Sequence, residues 1–102
     1  MNEADFATQV YDLLSRFQWR WTHFRPALTG KGWRTPLQGH AGFPDIIAIR
    51  GGRFLVLELK GDGGKVTAEQ QEWLDLFRAG SAEVHVWWPD DPGLEAMVKI
   101  LC

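Results

Sequence analysis

Asp45, Glu58 and Lys60 are of the types, and at the spacing, needed to hold a divalent cation beside a fixed positive charge. They flank Gly51-Gly52, which separates two runs rich in Ile, Leu, Val and Phe, Asp45–Arg50 and Arg53–Lys60. A two-residue hairpin loop needs positive φ, which glycine supplies without strain, so these runs are expected to fold as antiparallel strands. If Arg50 faces Arg53, then Ile49 faces Phe54, Ile47 faces Val56 and Asp45 faces Glu58. Alternation adds Lys60 to the face of Glu58 and turns Leu55, Leu57 and Leu59 the other way. Two carboxylates directly opposite have β-carbons roughly 4.5–5.5 Å apart and repel. A hard cation such as Mg²⁺, which takes carboxylate oxygens, would neutralise the pair. The charge pattern alone equally allows a salt bridge from Lys60 to Glu58 or Asp45, and a one-residue slip of register would dissolve the pairing.

The elements that must position these residues follow from periodicity. Asn2 can cap a first helix running to about Phe17, with Phe6, Val10, Leu13, Leu14 and Phe17 as its buried stripe. Glu3 falls on that stripe, where a carboxylate needs a partner, or serves as a first-turn acid favoured by the helix dipole. Trp19–Phe24 alternates and is rich in aromatic and β-branched residues, as in a strand. From Arg25 to Pro44 there are four glycines, three prolines and no clear period, as in a long functional loop. That loop holds Arg25, Lys31, Trp33, Arg34 and His40, a mix suited to a phosphate backbone and a stacked base.

Past the hairpin, Thr67 begins a second helix with Trp73, Leu74 and Phe77 inward, ended by Gly80. Thr67-Ala-Glu-Gln70 fits a capping box, yet Gln70, three before Trp73, also leans toward the buried side. Val84–Trp88 reads as a last strand, and Asp91-Pro92 opens a final helix with Leu94, Met97, Val98 and Leu101 on one face. The order is α-β-β-β-α-β-α: an α/β fold in which three strands form an antiparallel meander and the fourth returns through a helix, parallel to a neighbour. The result is a mixed four-stranded sheet flanked by helices.

At 102 residues, 45% hydrophobic and 24% charged, residues 1–102 are expected to be one soluble domain. No apolar run approaches a membrane span, and the acidic N-terminus does not resemble a secretory signal. The single cysteine, Cys102, allows no internal disulfide and suits a reducing, cytoplasmic setting. The net charge of −2 hides a division. Residues 16–53 carry seven bases against Asp45 alone, while 54–102 carry four bases against nine acids. The basic stretch could form a phosphate-facing patch, or it is the ordinary unevenness of a small chain. There is no zinc-type His/Cys cluster and no phosphate-binding Gly-rich loop. His85, inside a strand, reads as structural, whereas His23 and Arg25 lead into the basic loop and could touch phosphate.

Glu3-Ala-Asp-Phe6, His23-Phe-Arg-Pro26, Lys31-Gly-Trp-Arg-Thr-Pro36, Gly42-Phe-Pro-Asp45, Leu57-Glu-Leu-Lys60, Val66-Thr-Ala-Glu-Gln70 and Val84-His-Val-Trp87 stand in a telling order. The pattern resembles the PD-(D/E)XK nuclease superfamily, and within it the VRR-NUC branch, particularly small standalone members from phages and bacteria. Phe43 departs mildly from it, standing where a smaller aliphatic is more usual. The resemblance implies a restriction-endonuclease-like core working inside a bacterial or phage-infected cell. It implies that Asp45, Glu58 and the main-chain carbonyl of Leu59 bind Mg²⁺ or Mn²⁺, with Glu3 completing the site. Lys60 would orient the attacking water or stabilise charge on phosphorus, and Gln70 would support the water or Lys60. His23, Arg25, Lys31 and Arg34 would contact DNA. Relatives of this kind suggest a homodimer acting on branched DNA such as Holliday junctions; Trp87 or Trp88, if exposed, could line its interface, with core burial the safer expectation for at least one. A non-catalytic nucleic-acid-binding module of the same fold stays open, though it would not require the Asp45–Glu58–Lys60 trio. So does an interaction subunit docking through the acidic C-terminal half.

Overall fold

The computed structural model describes residues 1–24 and 38–102 and, for 27–29 and 32–34, the backbone. The chain runs α1 (Glu3–Arg16), β1 (Arg20–His23), β2 (Ala27–Thr29), β3 (Gly32–Arg34), β4 (Ile46–Arg50), β5 (Arg53–Leu59), α2 (Ala68–Ala79), β6 (Glu83–Trp87) and α3 (Leu94–Leu101). The main sheet has the order β1-β4-β5-β6; its first three strands are antiparallel and β6 runs parallel to β5. Helices and main-sheet strands therefore follow α-β-β-β-α-β-α. The addition is a small antiparallel hairpin, β2-β3, inside the stretch expected to be a structureless loop. Strands of three residues are too short to leave a period in the sequence. No described helix is long and apolar enough to cross a membrane.

The hairpin register holds pair by pair, from Arg50 opposite Arg53 to Ile46 opposite Leu57. Gly51 and Gly52 turn it with φ of 54° and 82°, the left-handed region that favours glycine. Alternation then sorts the side chains onto two faces. Ile46, Ala48, Leu55, Leu57 and Leu59 join Phe6, Ala7, Val10 and Leu14 of α1 and Met97 and Leu101 of α3 in the main core. Each such Leu or Ile removed from water stabilises the fold by about 1.5–3 kcal/mol. The opposite face lies under α2, whose Leu74 is fully buried and whose Phe77 meets Phe54 edge-on. Phe43, the departure from the family pattern, packs edge-on against Phe24, Trp73 and Phe77 on that side. Strand β5 is buried on both faces from Leu55 onward, so groups at its end leave water as well.

The turn end of the hairpin is locked by two arginines. Arg50 Nη1 donates to Phe17 O at 3.0 Å and Leu101 O at 2.7 Å, and its Nη2 to Cys102 O at 3.0 Å. Arg53 Nη2 donates to Ile100 O at 2.9 Å, and its guanidinium grips the Glu83 carboxylate at 2.7 and 2.8 Å. Both guanidinium carbons lie over the Trp19 ring, 4.7 and 4.9 Å from its centre. The last carbonyls of a helix have no partner within it, and these cations supply one to α3. Two of the seven bases of residues 16–53 are thus spent at the end of the hairpin away from Asp45 and Glu58. Trp87 is core, 2% exposed, which removes it as an interface candidate, and the half-buried Trp88 donates its indole N–H to Gly64 O. Arg50→Ala is expected to lower unfolding free energy by about 2 kcal/mol, read from urea denaturation, because it strips hydrogen bonds from three carbonyls. A loss within 0.5 kcal/mol, the range usual for a surface substitution, would mean the lock is not structural.

Candidate active site

Asp45, Glu58, Lys60 and Gln70 meet at the other end of the hairpin. Backbone pairing stops at Ile46, one residue short of the Asp45–Glu58 pair expected from register counting. The chain bends at Asp45, which still lies beside Glu58 but meets it differently. Its N–H donates to Glu58 Oε1 at 3.2 Å, and its own Oδ2 accepts the Leu59 N–H at 2.9 Å. The Asp45 carbonyl takes the Phe24 N–H at 2.9 Å, tying the bend to the end of β1. The Leu59 carbonyl faces the same side. Lys60 N–H points at Trp87 O in β6, and across a planar trans peptide the Leu59 C=O points oppositely, toward Asp45.

Gln70 comes from the first turn of α2, where capping and site support had looked like alternatives. The structure gives it both. Its Oε1 accepts the Thr67 N–H at 2.9 Å and closes the capping box, and the same oxygen accepts Lys60 Nζ at 2.7 Å. Its Nε2 donates to Glu58 Oε2 at 3.1 Å, so both ends of the amide are fixed. Lys60 Nζ is also 3.5 Å from Glu58 Oε2. Gly42 lets this happen. Its φ is 92°, and a β-carbon there would lie 2.7 Å from the Glu69 carbonyl carbon and 2.8 Å from Gln70 N. Only glycine lets the segment before Asp45 pass so close to α2.

Burial sets the electrostatics. Glu58 is 2% exposed, and removal from water pushes its pKa up to about 8. The neighbouring Asp45 charge raises it further, and Lys60 offsets part of the rise. The Asp45 carboxyl is likewise raised, first by burial and then by the charge of Glu3, against the lowering effect of the Leu59 N–H. Two oxygen-donor side chains that resist being charged together, with a carbonyl facing the same side, fit a divalent cation that would remove their repulsion.

Of the two readings open for Glu3, the structure shows the exposed first-turn acid. It is exposed at the start of α1, because the buried stripe begins only at Phe6 and the first turn overhangs the end of the sheet. It reaches Asp45 as a charge, and among the described residues no three acidic, His or Cys side chains are gathered at metal-binding spacing. His23 lies beside the cluster, its Nε2 3.9 Å from Asp45 Oδ1. Arg25 and Lys31 lie outside the described residues, as does the side chain of Arg34. His85 packs against Trp87 in β6, and burial holds its pKa down. Tyr11, whose hydroxyl pairs with His23 Nδ1, was invisible in the sequence, since nothing in helical spacing links residues 11 and 23.

The carboxylate shifts fix the sign of a pH effect. Glu58 titrates near 4.5 when unfolded and about 8 when folded, so between these values the folded state holds more protons. Stability of the metal-free protein should therefore fall as pH rises through this window and level off above it. Urea midpoints in chelator at about pH 5 and about pH 9 test this, and Glu58→Gln should flatten the slope. A midpoint that rises over that range would contradict the shift.

Residues 31–87 match the model of the VRR-NUC domain. No curated protein and no solved structure matches the chain.

Proposed function

The chain belongs to the VRR-NUC domain family, a nuclease-type domain family of the PD-(D/E)XK superfamily, and on that premise we propose that it is a divalent-metal-dependent DNA endonuclease. The observation that carries the proposal is the pairing of half-buried Asp45 with buried Glu58, coupled to Lys60 through one fixed Gln70 amide. Asp45, Glu58 and the Leu59 carbonyl would hold Mg²⁺ or Mn²⁺, with Glu3 adding charge from outside. The ion, when bound, supplies a nucleophile from water near neutral pH and Lewis-acid stabilisation of phosphorus. Lys60 brings a fixed positive charge to where negative charge develops on the phosphoryl oxygens. Its side chain is 10% exposed and its ammonium is held by Gln70 Oε1 at 2.7 Å, so it is oriented before substrate arrives. Gln70 carries that orientation, and Glu58 receives the other end of the same amide.

DNA would approach the open end of the sheet, and Arg25, Lys31 and Arg34, named from the sequence, would supply phosphate contacts. Cutting two strands symmetrically requires two such sites, which favours a homodimer and a branched substrate such as a Holliday junction. The interior of a bacterial or phage-infected cell, where the exposed Cys102 thiol stays reduced, is the setting this substrate implies.

Cleavage of a synthetic four-way junction, a linear duplex and a supercoiled plasmid tests the proposal, with Mg²⁺, with Mn²⁺ and with chelator. The junction should be cut fastest, and chelator should stop all cutting. Lys60→Ala should lower kcat by about 10²–10³-fold, and Asp45→Asn should abolish cutting, both with an unchanged circular dichroism spectrum. Purified protein that cuts none of these substrates with either metal would overturn the assignment. Equal rates on junction and duplex would remove the branched-DNA selectivity alone.

A further inference from the structure

Asp45 has neighbours on two sides, and only one belongs to the site described above. Its Oδ2 takes the Leu59 N–H at 2.9 Å, while its Oδ1 faces His23 Nε2 at 3.9 Å. The other ring nitrogen of His23 is hydrogen-bonded to the Tyr11 hydroxyl. Tyr11 is itself fixed, stacked on Trp21 with ring centres 4.7 Å apart and planes 9° off parallel. Trp21 in turn donates its indole N–H to Ser15 Oγ at 3.1 Å. A chain of contacts thus runs from the outer side of α1, through β1, to the carboxylate that closes the hairpin. The His23 side chain is 12% exposed, so it is walled in rather than displayed to solvent.

We infer that Tyr11 and His23 are a positioning couple that sets the direction of Asp45 Oδ1, an inference that rests on the metal-dependent reading above. A carboxylate anchored at one oxygen can still swing the other, and an imidazole N–H facing that second oxygen at 3.9 Å, beyond hydrogen-bond length, biases its direction electrostatically. The carboxylate opposite Nε2 favours the tautomer with its proton there, which leaves Nδ1 to accept from the Tyr11 hydroxyl. The Tyr11 hydroxyl, able to donate to Nδ1, is compatible with that tautomer and holds the ring plane. Groups that orient a metal-binding side chain from behind typically carry about 10–100-fold in metal affinity or activity. This role differs from the phosphate contact expected for His23, and its two ring nitrogens face Tyr11 and Asp45.

Three variants test the couple: Tyr11→Phe, His23→Leu and His23→Gln. Mn²⁺ affinity is read from the electron paramagnetic resonance signal of free Mn²⁺, and kcat and KM are measured on one DNA substrate. Tyr11→Phe and His23→Leu should weaken Mn²⁺ binding about 10-fold or more. They should lower kcat while leaving KM within about twofold. His23→Gln, which restores an N–H donor, should recover part of the Mn²⁺ affinity. Unchanged Mn²⁺ affinity in Tyr11→Phe would overturn the inference, and so would a raised KM at constant kcat, the mark of a phosphate contact. Should His23→Leu fail to fold, Tyr11→Phe still decides, since it removes one hydroxyl and keeps the ring stack. Wild-type protein that takes up no Mn²⁺ would overturn the metal-dependent reading itself, whereas failure confined to the variants leaves that reading standing.

Discussion

Carboxylates held side by side inside a protein repel each other, and removing them from water deepens the repulsion. Glu58 sits at the buried end of β5 with Asp45 beside it, and its proton is retained up to about pH 8. Everything around the pair answers that constraint. The Leu59 N–H and the Asp45 N–H neutralise lone pairs, Gln70 donates to Glu58, and Lys60 supplies a nearby positive charge. These contacts leave the carboxylates hydrogen-bonded but incompletely neutralised, and a doubly charged cation fits that balance.

The two ends of the hairpin have opposite tasks. At the turn, Arg50 and Arg53 satisfy carbonyls and clamp α3 around Trp19, which makes that end rigid. At the mouth, backbone pairing ends and side chains take over the hydrogen bonds a longer ladder would have made. The stable end holds the open end in register. Alternation then presents the carboxylates to α2 while the leucines between them anchor the same strand to α1 and α3.

Much of this was legible in the sequence because the hairpin is short and glycine fixes its turn. Register could be counted outward from Gly51-Gly52, and every counted pair through Ile46 and Leu57 is present. Counting failed at Asp45, where the chain bends and a side chain replaces the ladder, a change no period can encode. Gln70 offered two roles by spacing and plays both, because one amide oxygen can accept from a cap and from a lysine. Glu3 stood open between the buried stripe and an exposed first-turn acid because periodicity cannot tell where burial begins along a helix, and it is exposed. Arg50 and Arg53 counted toward a basic patch although their guanidiniums are occupied by carbonyls and Glu83, since charge totals carry no direction. The Tyr11–His23 contact joins two elements by tertiary packing and left no signal at all.

A crystal of the protein grown with Mn²⁺ and measured for anomalous scattering tests the central claim most directly. The account predicts a peak among the carboxylates of Asp45 and Glu58 and the carbonyl of Leu59, at ordinary Mn–oxygen distances, with Lys60 still on Gln70. A map with no peak there, and with the Lys60 ammonium lying between the two carboxylates, would make the pair a structural salt bridge and contradict it.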